Sequence, residues 1–236
     1  MSDVTYDAGS LTVTLNGARD VADALGDLAG KTPAAVKTAL NATAREARRR
    51  MIQAAGERYA VNEAGRRRLK DLKQTQKATN RQLSAKIGVA SLRRDLGYFT
   101  TDLPYPNHFT GTDWRKGPDV WTGKALKESP MTPFPGNGSR SKAFLMQFKS
   151  GHVGFVQRVL GSSSANTRTE NGRRRWRNAA GKVEKIETRG APSEATMHGT
   201  VWPEEEPGIE EYLRERLSAQ VEKVLARAEE RAKTGK

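Results

Sequence analysis

The chain contains no cysteine. That excludes disulfides, thiolate metal sites and a cysteine nucleophile, and leaves the redox compartment open. Apolar residues are scarce at 36%, against the roughly 45–50% usual in globular domains, so part of the chain is expected to lack a core of its own. No apolar run approaches the roughly 18 residues of a membrane span. The N-terminus, with Asp3 and Asp7 ahead of its first apolar run, is unlike a signal peptide. The expectation is a soluble protein made and used in the cytoplasm. Histidine is rare, and His108, His152 and His198 stand alone without ligand spacing, so they read as polar loop residues. Gly136-Asn137-Gly138 and Gly181-Lys182 lack the glycine spacing and Lys-Ser/Thr of a phosphate loop. There is no Gly-x-Ser-x-Gly turn, and Glu204 to Glu206 has no partner acids or ligands. These absences point away from an enzyme, a metal and a cofactor.

Positive charge is what the chain has in excess, with 41 Lys and Arg against 27 Asp and Glu and a formal charge of +14. Its placement is uneven. Residues 1–30 hold one basic and five acidic residues, 31–94 hold 17 and 4, and 190–236 hold 7 and 10. A field polarised in this way attracts either a polyanion or the acidic end of a neighbouring subunit.

The chain is organised around the stretch from Thr32 to Gly56, which predicts one long amphipathic helix. Thr32 suits the cap, Pro33 suits the first helical position because its missing N–H has no partner there, and Gly56 is a natural stop. Val36, Leu40, Ala44, Ala47, Met51 and Ala54 or Ala55 recur on one side, leaving Lys37, Arg45, Arg48, Arg49 and Arg50 for the rims and back. Before it, residues 10–15 alternate as a strand with Leu11, Val13 and Leu15 inward, Asn16-Gly17 marks a turn, and a short helix spans about Asp20 to Ala29. After it, Tyr59 and Val61 read as buried and Asn62 as a cap. Residues 66–73 fit helix or strand. Leu83, Ala85, Ile87 and Val89 alternate as a strand that could close a hairpin with residues 69–74.

Residues 100–142 hold six of the ten prolines and predict little regular structure. Trp114 and Trp121 within them read as interface anchors or, equally, as packing on their own domain. Residues 143–159 predict a hairpin in the same sheet as the earlier strands. The arm at 162–182 is rich in Ser, Asn, Gly and Arg and includes Arg173, Arg174, Arg175, Trp176 and Arg177. Glu204-Glu205-Glu206-Pro207 then predicts the start of a last helix, with carboxylates near its positive end and a stripe of Ile209, Leu213, Leu217, Val221, Val224 and Ala228. The fold class expected is α+β: a small antiparallel sheet against the long helix, a C-terminal helix, and long loop insertions, in a single domain over residues 1–236.

Two arginine groups on the helical region, Arg48 to Arg50 and Arg66 to Arg68, could contact phosphates or the acidic faces of neighbouring subunits. The arm is the better nucleic-acid candidate, with Trp176 available to stack. No sequence-reading motif accompanies them, so phosphate contact without base readout is expected.

Asn16-Gly17, Val21 to Leu25, Pro33 to Val36 and Ala39 to Arg48 together resemble the N-terminal part of the phage minor tail protein Z family, the tail-completion proteins of long-tailed phages. The resemblance continues through Tyr59-Ala60-Val61, Lys77-Ala78-Thr79, Leu83 to Ile87 and Phe99, and resumes at Ala143-Phe144, Lys149 to Gly154 and Arg158. It covers about two-thirds of the chain in family order; residues 100–142 and 162–182 depart from it. It implies a structural virion protein at the head-proximal end of the tail, in the neck region, reached from the host cytoplasm during assembly. A homo-oligomeric ring around the DNA channel is expected, contacting the tail terminator, tail tube or head-tail connector, with no membrane partner, catalytic residue or cofactor. The alternative is a non-sequence-specific nucleic-acid-binding protein that uses the Arg-rich arm.

Overall fold

The computed structural model describes residues 2–7, 10–16, 25–90, 94–102, 120–148, 150–164 and 177–234. The fold is α+β, with a long N-terminal helix, a long C-terminal helix and small antiparallel sheets. The chain gathers into two compact units where the sequence suggested one domain. The first takes residues 1–55, 69–92 and 193–236; the second takes 56–68 and 93–192.

In the first unit a four-stranded antiparallel sheet has the order β1-β2-β4-β3, from β1 (Ser2–Asp7), β2 (Ser10–Asn16), β3 (Lys73–Gln76) and β4 (Ser84–Ala90). β2 stands where the alternation put it. β1, which pairs Val4 with Val13 across a tight hairpin, was not anticipated, because its six residues hold two aspartates and no apolar run. β3 and β4 form the expected hairpin, four residues later at its start than the conditional reading placed it. The inward side of β4 is Ala85, Ile87 and Val89, all buried. The side chains of Leu11, Val13 and Leu15, the turn at Gly17 and residues 20–24 lie outside the described ones.

Helix α1 (Thr32–Arg58) carries the predicted stripe inward: Val36, Leu40, Ala44, Ala47, Met51 and Ala55 are each fully enclosed. Both of its ends differ from expectation. The Thr32 hydroxyl finds no hydrogen-bond partner among the described residues, and a 3-10 turn over Gly26–Lys31 leads straight into the helix in place of a cap. Gly56 does not stop it, since a helical glycine costs only about 1 kcal/mol and the chain runs on to Arg58. Asn41, from the helix, clamps the β3–β4 loop: its Nδ2 donates to Ala78 O (3.0 Å), and its Oδ1 accepts from Ala78 N (3.0 Å) and Gln74 Nε2 (2.8 Å).

The last helix, α3 once the short helix of the second unit is numbered α2, spans Glu194–Thr234 and not the shorter stretch beginning at Glu204. Its start is set by Ser193, whose Oγ accepts from Thr196 N (3.2 Å) as an N-cap does. Pro203 and Pro207 lie inside it, so the helix forgoes the bonds their N–H groups would make and continues because its flanks are packed. Trp202, Ile209, Leu213 and Leu217 join the α1 stripe and β4 in one core, with Val221 and Val224 partly buried against it.

The second unit opens on Asn62, which caps α2 (Glu63–Leu69) by accepting from Gly65 N at 3.0 Å. Tyr59 and Val61 are buried as expected. Residues 143–159 form the predicted hairpin, β9 (Phe144–Gln147) and β10 (Val153–Arg158). That hairpin does not extend the first sheet. It belongs to a separate sheet of order β11-β10-β9, with β11 at Ile186–Thr188. Every residue of β10 is buried, so the strand is covered on both faces. The described part of the stretch 100–142 is also more regular than its prolines suggested. β6 (Thr100–Thr101), β7 (Trp121–Lys124) and β8 (Thr132–Phe134) make a third small sheet, with Pro133 on the edge strand β8, where its missing N–H is tolerated. β5 (Arg94–Asp95) pairs with β12 (Gly190–Ala191).

Candidate functional site

The helical arginines divide by what each one touches. Arg48 is internal: its Nε donates to Leu72 O (2.6 Å) and its Nη2 to Lys70 O (3.0 Å), closing backbone carbonyls that the chain leaves bare where it re-enters the first unit. Arg49 and Arg50 share Glu46. Arg49 contributes Nη2 to Oε1 (2.6 Å) and Nε to Oε2 (2.9 Å), and Arg50 Nε reaches Oε1 at 2.9 Å. Bonds from Arg49, then from Arg50, hold the Glu46 carboxyl down from 4.5 to about 2, and Glu46 raises Arg49 in return. The Arg50 guanidinium also lies over Gly208, where a Cβ would come within 2.6 Å of its Nη1. Arg50 therefore seats α3 on α1 just past the second helical proline. Arg45 and Arg49 remain exposed on this helix.

Arg66, Arg67 and Arg68 are exposed on α2. Arg66 Nε makes a long contact to Val61 O (3.5 Å), and Arg67 is paired with Glu63 one turn back. Of the arm, Arg173, Arg174, Arg175 and Trp176 lie outside the described residues, as does Trp114. Arg177 is exposed and donates from Nη1 to Gly181 O (2.6 Å). Trp121, read as an interface anchor or as packing on its own domain, is only 2% exposed on β7, which bears out the second reading.

A polar cluster the sequence did not disclose sits in the second unit. His152, just past the hairpin turn, meets Asp95, with Nε2 at 2.7 Å from Oδ2. Asp95 Oδ1 accepts from Gly97 N (2.7 Å) and, at 3.4 Å, from Phe155 N, so the buried carboxylate is well supplied with donors. The imidazole lies flat on Tyr98 (4.1 Å between centroids, 10°) and parallel to Phe148 (6.0 Å, 7°), and Arg94 covers the Tyr98 ring at 5.3 Å. Two glycines make room. A Cβ on Gly97 would stand 2.3 Å from Val153 O, and one on Gly154 would stand 2.4 Å from the Phe148 ring. His152 Nδ1 is enclosed and has no partner among the described residues. The geometry is that of a clasp holding the β9–β10 hairpin to residues 95–98. The two residues lie 57 apart, a separation that no local pattern reports.

His198, also read as a loop residue, is fully buried on α3, with Nε2 at 3.0 Å from Leu69 O. His198 sits against a group supplied by a distant segment, which is why the isolated letter misled, whereas His152 lies outside the strands, just before β10, as read. Among the described residues, no three His, Asp or Glu come together to hold a metal ion, and no helix is long and apolar enough to cross a membrane. Comparison of the chain with protein-family models, with curated proteins and with solved structures finds no match.

Proposed function

We propose that this chain is a structural protein of a long-tailed phage particle, a tail-completion protein at the head-proximal end of the tail that is needed for tail maturation and head-tail joining. The observation that carries the reading is where the resembling stretches fall. Pro33 to Val36 and Ala39 to Arg48 lie on α1 and supply the first part of its buried stripe, Leu83 to Ile87 lead into β4, Phe99 is buried at 1%, and Ala143-Phe144, Val153-Gly154 and Arg158 fall on or beside the β9–β10 hairpin. The likeness to the minor tail protein Z family thus touches elements of both units, while one of its departures, residues 100–142, includes the β6-β7-β8 sheet.

In this reading several copies form a ring around the DNA passage, through one repeated contact between unlike faces. The acidic N-terminal 30 residues and the basic segment that follows suit such a contact. On α1 most of the arginine capacity is used within the unit, which favours a packing or subunit role for that helix over a row of phosphate contacts. The ring would abut the tail terminator, the tail tube or the head-tail connector, with no bond made or broken by the chain.

The test is placement in the particle. Antibody-labelled virions should carry the label at the capsid-tail junction, and a phage deleted for this chain should accumulate filled heads beside unjoined tails. Joined, infectious particles in its absence would overturn the proposal.

A further inference from the structure

The pairing of β10 with β11 continues past both strands. Val159 N donates to Lys185 O (2.9 Å), Ser164 N to Val183 O (2.7 Å), and Lys185 N to Ser162 Oγ (2.9 Å). Residues 159–164 and 177–185 therefore form the root of a two-legged ribbon. Glu184, only 4% exposed, sits at its centre, where Oε1 accepts from Gly161 N (3.0 Å) and from Asn178 Nδ2 (3.1 Å). Asn178 closes a tight turn. Its N donates to Lys182 O (3.0 Å), its O accepts from Gly181 N (2.9 Å), and its Oδ1 accepts from Lys182 N (3.0 Å). Gly181 takes the left-handed conformation this turn needs, at φ 70°.

The arrangement sorts charge by side. The one carboxylate between residues 177 and 185 points inward and is held by N–H donors, while Arg177, Lys182 and Lys185 are all exposed. Around them the root offers Ser163, the second amide hydrogen of Asn178 and the small residues Ala179 and Ala180, while the Ser162 hydroxyl is spent on Val159 O (2.6 Å). We propose that this ribbon root is a contact for the phosphate backbone of duplex DNA. Lysine, arginine, serine and asparagine side chains are the groups that phosphate oxygens accept from. A protein interface would instead centre on large apolar or aromatic anchors, and Leu160 is the one large apolar side chain exposed on the root. The inference deepens the reading above by naming the surface that meets the DNA of the passage. Its test does not depend on the particle: a chain absent from the junction could still bind DNA here, and a chain at the junction could fail to.

The experiment is fluorescence anisotropy of the full chain with a labelled duplex of mixed sequence, in a salt series. Replacement of Arg177, Lys182 and Lys185 together by Ala removes up to three phosphate contacts. The slope of log affinity against log salt should flatten by about 2.7, so that wild type loses about 40-fold more affinity than the variant between 50 and 200 mM salt. Two further variants separate geometry from net charge. Glu184→Gln removes the charge and keeps an acceptor oxygen, whereas Glu184→Ala removes both, with circular dichroism to show that each is folded. Ribbon geometry predicts that Gln binds at least as well as wild type and Ala binds several-fold worse. No binding by wild type at 50 mM salt, an unchanged slope in the triple variant, Ala tighter than wild type, or displacement by polyglutamate at the same charge concentration as by duplex would each overturn the proposal.

Discussion

At His198 a titratable ring is wholly enclosed in the first unit. Burial pushes its pKa down, the carbonyls of Leu69 and Met51 and the Glu194 carboxylate oppose that shift, and Arg48 adds to it. The folded state thus binds the proton less readily than the unfolded chain, whose histidine titrates near 6.5. Stability from the buried neutral ring is complete above that value and is lost as pH falls below it toward the lower folded value. Urea titrations at pH 7.5 and 5.0 should show wild type losing stability over this range. His198→Gln, which keeps a donor for Leu69 O, should lose measurably less. At Gly97 the limit is space: the nearest atom to an added Cβ is the Val153 carbonyl oxygen, which belongs to a strand and cannot swing aside. Gly97→Ala should cost about 2 kcal/mol or more in denaturant unfolding, while Gly138→Ala, where a Cβ meets nothing, should fall within about 0.5 kcal/mol of wild type.

Among the elements, α1 was the most legible because its period is long and its stripe unbroken, and β2, β4 and the β9–β10 hairpin were legible for the same reason on the strand period. The strands β5, β6 and β12 are two residues long and carry no period at all; the partners they pair with make them strands. α3 was misread at its start because three glutamates followed by Pro207 imitate an N-terminus, whereas the helix begins ten residues earlier at Glu194, capped by Ser193. The candidate sites were less legible than the fold. Arginine runs report charge but not whether a guanidinium is spent on a nearby carbonyl, as at Arg48, or on a carboxylate, as at Glu46. What α1 does show plainly is small side chains where its neighbours come close: Ala44 and Ala47 have no exposed surface. Ala44→Leu should overfill that face and destabilise the protein by about 1–3 kcal/mol in thermal or urea unfolding, whereas Ala34→Leu, at an exposed position of the same helix, should be nearly neutral.

Across the whole molecule, the first unit is assembled from three separate stretches of chain, and the last of them supplies Trp202, Ile209, Leu213 and Leu217 to its core. Truncation after Pro192 should therefore expose the α1 stripe. Hydrogen exchange should show α1 amides losing protection in the fragment while the β9–β10 amides keep theirs, and a peptide of residues 193–236 added in trans should restore α1. Equal protection of α1 with and without the peptide would contradict this core assignment. The composition had foreshadowed segments without a core of their own, and α1 is such a stretch, since its core is incomplete until distant residues arrive.

That arrangement has a consequence for synthesis. α1 ends at Arg58 and α3 begins at Glu194, so at about 5–20 residues per second a ribosome emits the second helix roughly 7–27 s after the first. For that interval the nascent α1 shows an apolar stripe with no α3 to cover it. Premature termination anywhere in between would release a polypeptide unable to complete the core of its first unit.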